Sequence, residues 1–290
     1  MPVKLSGFAD EIDDNFENQL KGLIENKIEY IEIRGVNGKN ISVLDRSEKD
    51  SAKKLLDKYN IKVSAIGSPI GKIKITDDFS VHLETFESII NSALLFETKY
   101  IRIFSFFIPD KEYAKYRGEV MRRLEILLKK AQSRNLILCH ENEREIYGES
   151  PELCLDIMEY FKGEIKFVFD PANFIVGGFH PYPKAYELLS GYIEYMHIKD
   201  ADKTGIVPAG QGDGGLKEIL SDLIINKKFD GFLSIEPHLS VFTGIDELEG
   251  KGKDGKNVLV KNKYNSKPEA FFAAVKALMN IIDEIERIGK

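Results

Sequence analysis

Short apolar runs alternate along the chain with longer stretches whose apolar residues recur at helical spacing. Eight of the runs have the length and the β-branched or aromatic composition of strands. An amphipathic stretch follows each of them, so the pattern predicts strands and helices in strict alternation. The predicted strands are Val3–Ala9, Ile28–Ile33, Lys62–Ile66, Tyr100–Phe104, Leu136–Glu141, Lys166–Asp170, Glu194–Lys199 and Phe232–Glu236.

Apolar positions three and four residues apart predict the buried faces of the helices. The last helix is preceded by Ser266 and carries Pro268 and Glu269 in its first turn, which fits an N-terminal capping box. The predicted buried stripes are Phe16, Leu20, Leu23 and Ile24; Phe86, Ile89, Ile90, Ala93 and Leu94; Met121, Leu124, Leu127, Leu128 and Ala131; and, in the last helix, Phe272, Val275, Leu278, Met279 and Ile282.

Eight strands, each with room for a helix after it, match a (β/α)8 TIM barrel. The alternative is an open doubly wound sheet, but no Gly-x-Gly-x-x-Gly turn follows the first strand as a dinucleotide-binding fold would require. We therefore predict one barrel domain over residues 1–290. Two longer segments, Thr204–Gly215 and Phe242–Tyr264, follow the seventh and eighth strands and should lie at the C-terminal face, where barrel enzymes carry functional loops.

Composition says little about the fold, but it limits the kinds of partner that the protein is expected to bind. The chain has 41 basic and 47 acidic residues, a net charge of −6, which gives no electrostatic reason to expect a nucleic-acid partner. Its two cysteines, Cys139 and Cys154, are too few for a disulfide framework. Neither a signal-peptide pattern nor an apolar run near the ~18 residues of a membrane span is present. We expect a cytoplasmic protein that acts without a membrane and leave open whether it is a homo-oligomer.

Four adjacent strands, the fifth to the eighth, each end on a side chain that can bind a metal. In a barrel, inward-pointing residues at the carboxyl ends of strands face one mouth. Three carboxylates meeting there would repel one another without a positive centre, so a divalent metal ion is predicted. Three oxygen donors and one nitrogen suit Mn²⁺, Mg²⁺ or Co²⁺, and Zn²⁺ is also compatible. The predicted ligands are Glu141, Asp170, His197 and Glu236.

Each of these residues has an ordinary structural interpretation when it is taken alone. Asp170 precedes Pro171 and could cap a helix, Glu236 could serve a turn, and His197 could be a core histidine. Their occurrence in register on consecutive strands is what indicates a site. His140 directly precedes Glu141, and strand alternation predicts that it points the other way, toward the helices.

These residues resemble those of the xylose isomerase-like barrels, the sugar phosphate isomerases and epimerases. The resemblance covers almost the whole chain. It implies one metal ion bound by the four residues and, as in the ketose 3-epimerase members, Glu141 and Glu236 as an acid–base pair on opposite faces of the substrate. It is sharpest at His140-Glu141-Asn142, Phe169-Asp170-Pro171-Ala172-Asn173, His197-Ile198-Lys199-Asp200, Gly210-Gln211-Gly212-Asp213-Gly214 and Ser234-Ile235-Glu236-Pro237-His238.

Polar residues around the predicted ligands are candidates for substrate contacts. Asn173 stands where related barrels place a residue that contacts substrate or metal. For Lys72 and Arg102 a surface ion pair is an equal alternative. The segment Gly210–Gly215 resembles a phosphate-binding loop only superficially, because glycine-rich turns are common. The other candidates, for hydroxyl or phosphate binding, are Glu32, Arg34, Lys199 and His238.

The predicted function is a metal-dependent isomerase or epimerase of a small sugar, ketose or sugar phosphate, acting by proton transfer beside a metal-bound carbonyl. A dehydratase of the inosose or dehydroshikimate kind would use the same centre, and a barrel that only binds a sugar is the non-enzymatic alternative. The endonuclease IV branch, with three zinc ions, is disfavoured. Its extra histidines are missing from Tyr30–Arg34 and Val63–Pro69, and Asn173 replaces another.

Overall fold

The wall of the molecule is a barrel of eight parallel strands. The computed structural model describes residues 3–240 and 264–288, so the predicted loop Phe242–Tyr264 lies, except for Tyr264, outside the described residues. The strands are β1 (Lys4–Gly7), β2 (Tyr30–Ile33), β3 (Lys62–Gly67), β4 (Tyr100–Ile103), β5 (Ile137–Glu141), β6 (Lys166–Phe169), β7 (Ile193–Ile198) and β8 (Phe232–Ile235).

Hydrogen bonding joins the strands in the order β1-β8-β7-β6-β5-β4-β3-β2. The two end strands, β1 and β2, also contact each other. The register is staggered from strand to strand, with Glu141 opposite Val168 and His197 opposite Ser234. The predicted (β/α)8 TIM barrel is therefore confirmed, with all eight strands where the apolar runs place them.

Helices surround the barrel and bury their apolar faces against the strands. Polar caps fix several of their starts, for example Asp45, which forms a capping box with Glu48. None of the described helices is both long and apolar enough to cross a membrane. The helices are α1 (Phe16–Glu25), α2 (Arg46–Tyr59), α3 (Phe79–Leu95), α4 (Tyr113–Gln132), α5 (Pro151–Tyr160), α6 (Pro171–Val176), α7 (Tyr186–Leu189), α8 (Leu216–Ser221) and α9 (Lys267–Ile288).

The start of α9 follows the predicted cap with one difference. Ser266 Oγ accepts a hydrogen bond from the backbone N–H of Glu269 at 3.3 Å. The Glu269 carboxylate reaches back to the N–H of Asn265, at 2.9 Å, rather than to that of Ser266. Pro268 lies in the first turn, where its missing N–H has no partner to lose.

The predicted stripe of α9 was wrong at its first residue. Phe272 is 57% exposed, whereas Phe271 is fully buried. Phe271 packs over Gly7 of β1, where a Cβ atom would lie only 2.8 Å from the Phe271 ring. It shares a helix face with Ala274 and Leu278, three and seven residues further on, so the buried stripe begins one residue earlier than predicted.

Two other stripe residues also lie outside the core. Ile24 is 45% exposed and Leu94 is 43% exposed, while Leu23 and Ala93 beside them are buried. A buried helix face is about 100° wide, and adjacent residues are about 100° apart. The residue after a central one in the stripe therefore falls outside the buried face, and these two predictions were wrong for that reason.

Two layers of inward-pointing side chains lie at the carboxyl end of the barrel. The upper layer is formed by the four predicted metal ligands. The lower layer is a small apolar cluster inside the barrel, separate from the main core between strands and helices. It consists of Ala65, Cys139, Val168 and Tyr195. Because side chains two apart on a strand share a face, the last three lie directly below Glu141, Asp170 and His197.

The candidate metal centre

The carboxyl ends of β5 to β8 bring the four predicted ligands together. One donor atom from each lies within 4.8 Å of the donor atoms of the other three, and all four residues are buried. His197 Nδ1 lies 3.0 Å from Glu141 Oε1, 3.1 Å from Glu236 Oε2 and 4.0 Å from Asp170 Oδ2. Two ligands bound to one ion at about 2.1 Å can be up to about 4.2 Å apart, so these spacings fit one ion.

The donor atoms also show a need for positive charge. Asp170 Oδ2 and Glu236 Oε2 are buried and accept no well-directed hydrogen bond from the described residues. The Lys199 ammonium lies 2.9 Å from the first and 3.5 Å from the second. Burial, reinforced by the neighbouring Glu141 and Glu236, raises the pKa of Asp170 to about 7 despite Lys199. A divalent cation would compensate these carboxylates, so the residues fit a metal ion.

Glu32 lies behind His197 and orients it. Glu32 Oε2 is 3.2 Å from His197 Nε2, and Glu32 Oε1 accepts a hydrogen bond from the Tyr195 hydroxyl at 2.9 Å. Burial alone would lower the pKa of His197, but the surrounding carboxylates raise it well above its usual range, so the ring is protonated in the metal-free protein. A bound ion would replace the proton on Nδ1, and the Glu32 carboxylate beside Nε2 favours the tautomer that this requires. Glu32 was predicted as a substrate contact. The structure places it below the ligands, away from the cavity wall.

An arginine holds each of the two glutamates. Arg102 donates to Glu141 Oε2 at 3.1 Å, and Arg34 donates to Glu236 Oε1 at 2.6 Å. In both residues the other carboxylate oxygen faces His197. Burial alone would raise the pKa of Glu141, but the charges of His197 and Arg102 outweigh it and lower the pKa to about 2. Both glutamates are therefore fixed in orientation and charged.

Asp170 combines the structural and the metal-binding interpretations of the sequence. Its Oδ1 caps α6 by accepting from the backbone N–H of Asn173 at 2.9 Å, while Oδ2 turns toward the site. Asn173 Nδ2 in turn donates to Glu141 Oε1 at 3.1 Å. The Asn142 amide pairs with both backbone groups of Asp170, at 2.8 and 3.0 Å. Sequence reasoning gave Asn142 no role, although it directly follows a predicted ligand.

A cavity opens over Glu141 and Glu236 at the barrel mouth. Lys72 and Arg102 are in ion pairs, but inside this cavity rather than on the surface: Lys72 Nζ is 3.1 Å from Glu143 Oε2 and lies over the Phe104 ring. Five of the seven predicted substrate contacts line the cavity, namely Lys72, Arg102, Asn173, Lys199 and His238, together with Phe104, Glu143, Arg144, Val176 and Ile206.

The other two predicted contacts, Glu32 and Arg34, lie behind the ligands. Arg34 binds both oxygens of Asp10, at 2.8 and 3.0 Å, in addition to Glu236. Glu11, next to Asp10, accepts from the His238 backbone N–H at 2.7 Å, and burial chiefly raises its pKa to about 7. Sequence reasoning assigned Asp10 and Glu11 no role. Their position directly after the first predicted strand is the signal that could have identified them.

His140 points away from the metal centre, as strand alternation predicts. Its Nε2 lies 2.9 Å from Ser105 Oγ, which also accepts from the Gly148 backbone N–H at 2.7 Å. The ring stacks on Phe167. Burial lowers the pKa of His140 to about 3, so the side chain is neutral and serves to anchor the loop after β5.

The parallel barrel and the four-donor cluster at its carboxyl edge define a TIM barrel with a candidate metal site. The chain belongs to the xylose isomerase-like TIM barrel family, whose model matches residues 23–256. No curated protein sequence gives a significant match.

Several solved structures share the fold at low sequence identity. A probable 3-DHS dehydratase of Bacillus anthracis, AsbF, has 18% identity and a TM-score of 0.71, over 96% of this chain and 99% of that one. The IOLI protein, solved with a zinc atom, has 15% identity and a TM-score of 0.75, over 98% and 99%. D-allulose 3-epimerase from Methylomonas sp. has 13% identity and a TM-score of 0.72, over 96% and 98%.

Proposed function

We propose that this protein is a metal-dependent isomerase or epimerase that moves a proton on the carbon next to a carbonyl group. Its substrate is a small sugar, ketose or sugar phosphate. The observation that carries the proposal is the pair Glu141 and Glu236, two oriented carboxylates that both line the cavity and belong to the four-donor cluster. Proteins of this fold named as an epimerase and as a probable dehydratase support a reaction of this general kind.

The residues that would hold the ion are Glu141, Asp170, His197 and Glu236. Three oxygen donors and one nitrogen favour Mn²⁺, Mg²⁺ or Co²⁺, and zinc, found in one protein of this fold, is compatible. A bound divalent ion would act as a Lewis acid toward the carbonyl and neighbouring hydroxyl oxygens of the substrate.

The chain's own residues supply the proton transfer. One glutamate, in its ionised form, removes the proton next to the carbonyl. The other must first take up a proton from solvent and then delivers it to the opposite face, which inverts the carbon. The arginines Arg102 and Arg34 hold the two carboxylates in place through the transfer. A general base must lie within about 2.6–3.2 Å of its proton donor or acceptor, so this fixed orientation matters for the rate. Lys199 and His238 also line the cavity and would bind substrate hydroxyl groups.

Solvent-deuterium incorporation tests the proposal directly. Metal-replete protein is incubated in D₂O with a panel of ketoses, sugar phosphates and inososes, and the products are analysed by NMR. We expect deuterium at the carbon beside the carbonyl. Turnover without incorporation would indicate hydride transfer between adjacent carbons, and loss of water to give a conjugated carbonyl would indicate a dehydratase.

Metal analysis tests the ion count separately. We expect one divalent ion per chain and no salt-sensitive binding to DNA. Three zinc ions per chain together with tight DNA binding would support the endonuclease alternative instead.

A further inference from the structure

The glycine-rich segment Thr204–Gly215 is folded around a buried carboxylate of the chain itself. Asp200 directly follows Lys199 and is fully buried. Its Oδ1 accepts hydrogen bonds from the backbone N–H groups of Ala201 and Gly214, at 2.9 and 3.0 Å. Its Oδ2 accepts from those of Gly210 and Gly212, also at 2.9 and 3.0 Å. Four backbone donors thus converge on one side chain.

This arrangement explains the glycine pattern that resembles a phosphate-binding loop. A Cβ atom at Gly212 would lie 2.4 Å from Asp200 Oδ1 and 2.4 Å from the Ala201 carbonyl oxygen. At Gly214 it would lie 2.6 Å from Asp200 Oδ1. Glycine is required at both positions because the backbone approaches the carboxylate so closely. The carboxylate takes the place that an anion would occupy in a phosphate loop.

The same segment forms part of the cavity wall. Residues Gly205–Val207 pair in antiparallel fashion with Asp200–Asp202, with Ile206 opposite Ala201. Ile206 is buried and lines the cavity above the metal centre. The Asp213 N–H closes the segment by donating to the Ala201 carbonyl at 2.8 Å. Ile206 therefore lies in a segment whose following residues, Gly210 to Gly214, are held by hydrogen bonds to Asp200.

We infer that Asp200 is a positioning residue: it holds the glycine-rich segment in the conformation that places Ile206 on the wall of the substrate cavity. Asp200 touches none of the four metal ligands in the contacts described above, so its action on the site is through the segment. This inference does not depend on which reaction the centre catalyses.

Cysteine labelling tests the inference without a known substrate. The native cysteines, Cys139 and Cys154, are both fully buried and free, so an Ile206→Cys variant gives a clean signal with N-ethylmaleimide. Labelling is followed by mass spectrometry at a temperature where circular dichroism shows a folded protein. In this background Asp200→Asn removes one acceptor oxygen and sets an NH₂ group against two N–H donors. We expect the labelling rate to rise about tenfold or more.

Two further variants and a metal titration complete the test. Asp213→Asn makes the same chemical change at an exposed position of the same segment and should leave labelling at the parental rate. Gly214→Ala disturbs the contact from the other side and should raise labelling as Asp200→Asn does. Affinity for Mn²⁺, measured by calorimetry, should change by less than about threefold, as expected for separate sites.

Two results would overturn the inference. If labelling of the Ile206→Cys thiol stays at the parental rate in either Asp200→Asn or Gly214→Ala, the segment does not depend on this carboxylate. If Mn²⁺ affinity falls in step with the rise in labelling, Asp200 acts on the metal centre rather than on the cavity wall.

Discussion

The inside of the barrel contains two layers of opposite character only two residues apart along the same strands. The lower layer is mainly apolar, and its Tyr195 hydroxyl is paired with Glu32. The upper layer is charged, and two of its oxygens, Asp170 Oδ2 and Glu236 Oε2, are buried without a well-directed hydrogen bond from the described residues. The lower layer includes Cys139, Val168 and Tyr195, and the positions above them are Glu141, Asp170 and His197.

The two layers therefore have different roles: the lower layer stabilises the fold, and the upper layer forms the candidate metal site. Apolar packing in the lower layer stabilises the fold whatever is bound above it. In the upper layer the charge of Asp170 opposes folding until a cation compensates it, because burial beside Glu141 and Glu236 raises its pKa. Tyr195 joins the layers: its ring packs below and its hydroxyl holds Glu32, which orients His197.

The largest expected effect comes from removing a base in the upper layer. Glu141→Gln or Glu236→Gln keeps the shape and one oxygen donor, so metal should bind more weakly but still bind. Turnover with metal-saturated protein should fall by about 10²–10⁴, the usual contribution of general acid–base catalysis. Glu145→Gln, an exposed glutamate in the loop after β5, is the matched control and should turn over normally. Equal turnover in all three variants would show that neither glutamate transfers a proton.

A smaller effect is expected from the residue behind the ligands. Glu32→Gln weakens the interaction that orients His197, and changes to a residue that orients a metal-binding histidine lower metal affinity by about 10–100-fold. Turnover at saturating metal should be largely kept, because the two bases are untouched. Tyr195→Phe leaves the Glu32 carboxylate in place and should lower Mn²⁺ affinity less. If Glu32→Gln raised KM for substrate and left metal affinity unchanged, Glu32 would be a substrate contact, as the sequence suggested.

Local pattern was enough to predict the strands and the upper layer. Each strand is a short apolar run, and the residue that ends it faces inward by alternation, so Glu141 and Asp170 could be placed on one rim before any contact was known. Side-chain contacts between different strands could not be predicted. Alternation tells which face of a strand a side chain is on, but not which side chain of another strand it contacts. Glu32 behind His197 and Arg34 behind Glu236 both depend on strands far apart in sequence. The turn of Thr204–Gly215 around Asp200 is local, but it is made by backbone N–H groups, which the side-chain pattern does not place.

The smallest expected effect comes from comparing one residue of each layer at the end of β6, namely Val168 and Asp170, which are two positions apart. Val168→Ala shortens a side chain in the lower layer and should lower the free energy of unfolding by about 1–3 kcal/mol, with or without metal and at any pH. Asp170→Asn removes one charge from the upper layer and keeps the acceptor that caps α6. Without metal it should raise stability by roughly 1–2 kcal/mol above neutral pH, because the raised pKa of Asp170 means that its charge is unfavourable in the folded state.

The pH dependence of that gain follows from the raised pKa of Asp170. In the unfolded chain an aspartate has a pKa near 3.9, whereas burial raises it to about 7 in the folded protein. The folded state therefore binds the proton more tightly, and this contribution to stability is lost as pH rises from about 4 to 7. The advantage of Asp170→Asn over the parent should be absent near pH 4 and complete above pH 7. Urea unfolding in EDTA at several pH values measures it.

Adding Mn²⁺ should reverse the order of the two proteins. The parent gains RT ln(1 + [L]/Kd), about 2.7 kcal/mol at a hundredfold excess over Kd, while Asp170→Asn binds the ion more weakly and gains less. Val168→Ala should gain as much as the parent, because its ligands are intact. If Asp170→Asn instead lowered metal-free stability above pH 7 as much as Val168→Ala does, the Asp170–Lys199 pair would be stabilising the fold by itself. The upper layer would then be a structural ion-pair network, and its need for a cation would lose its main physical support.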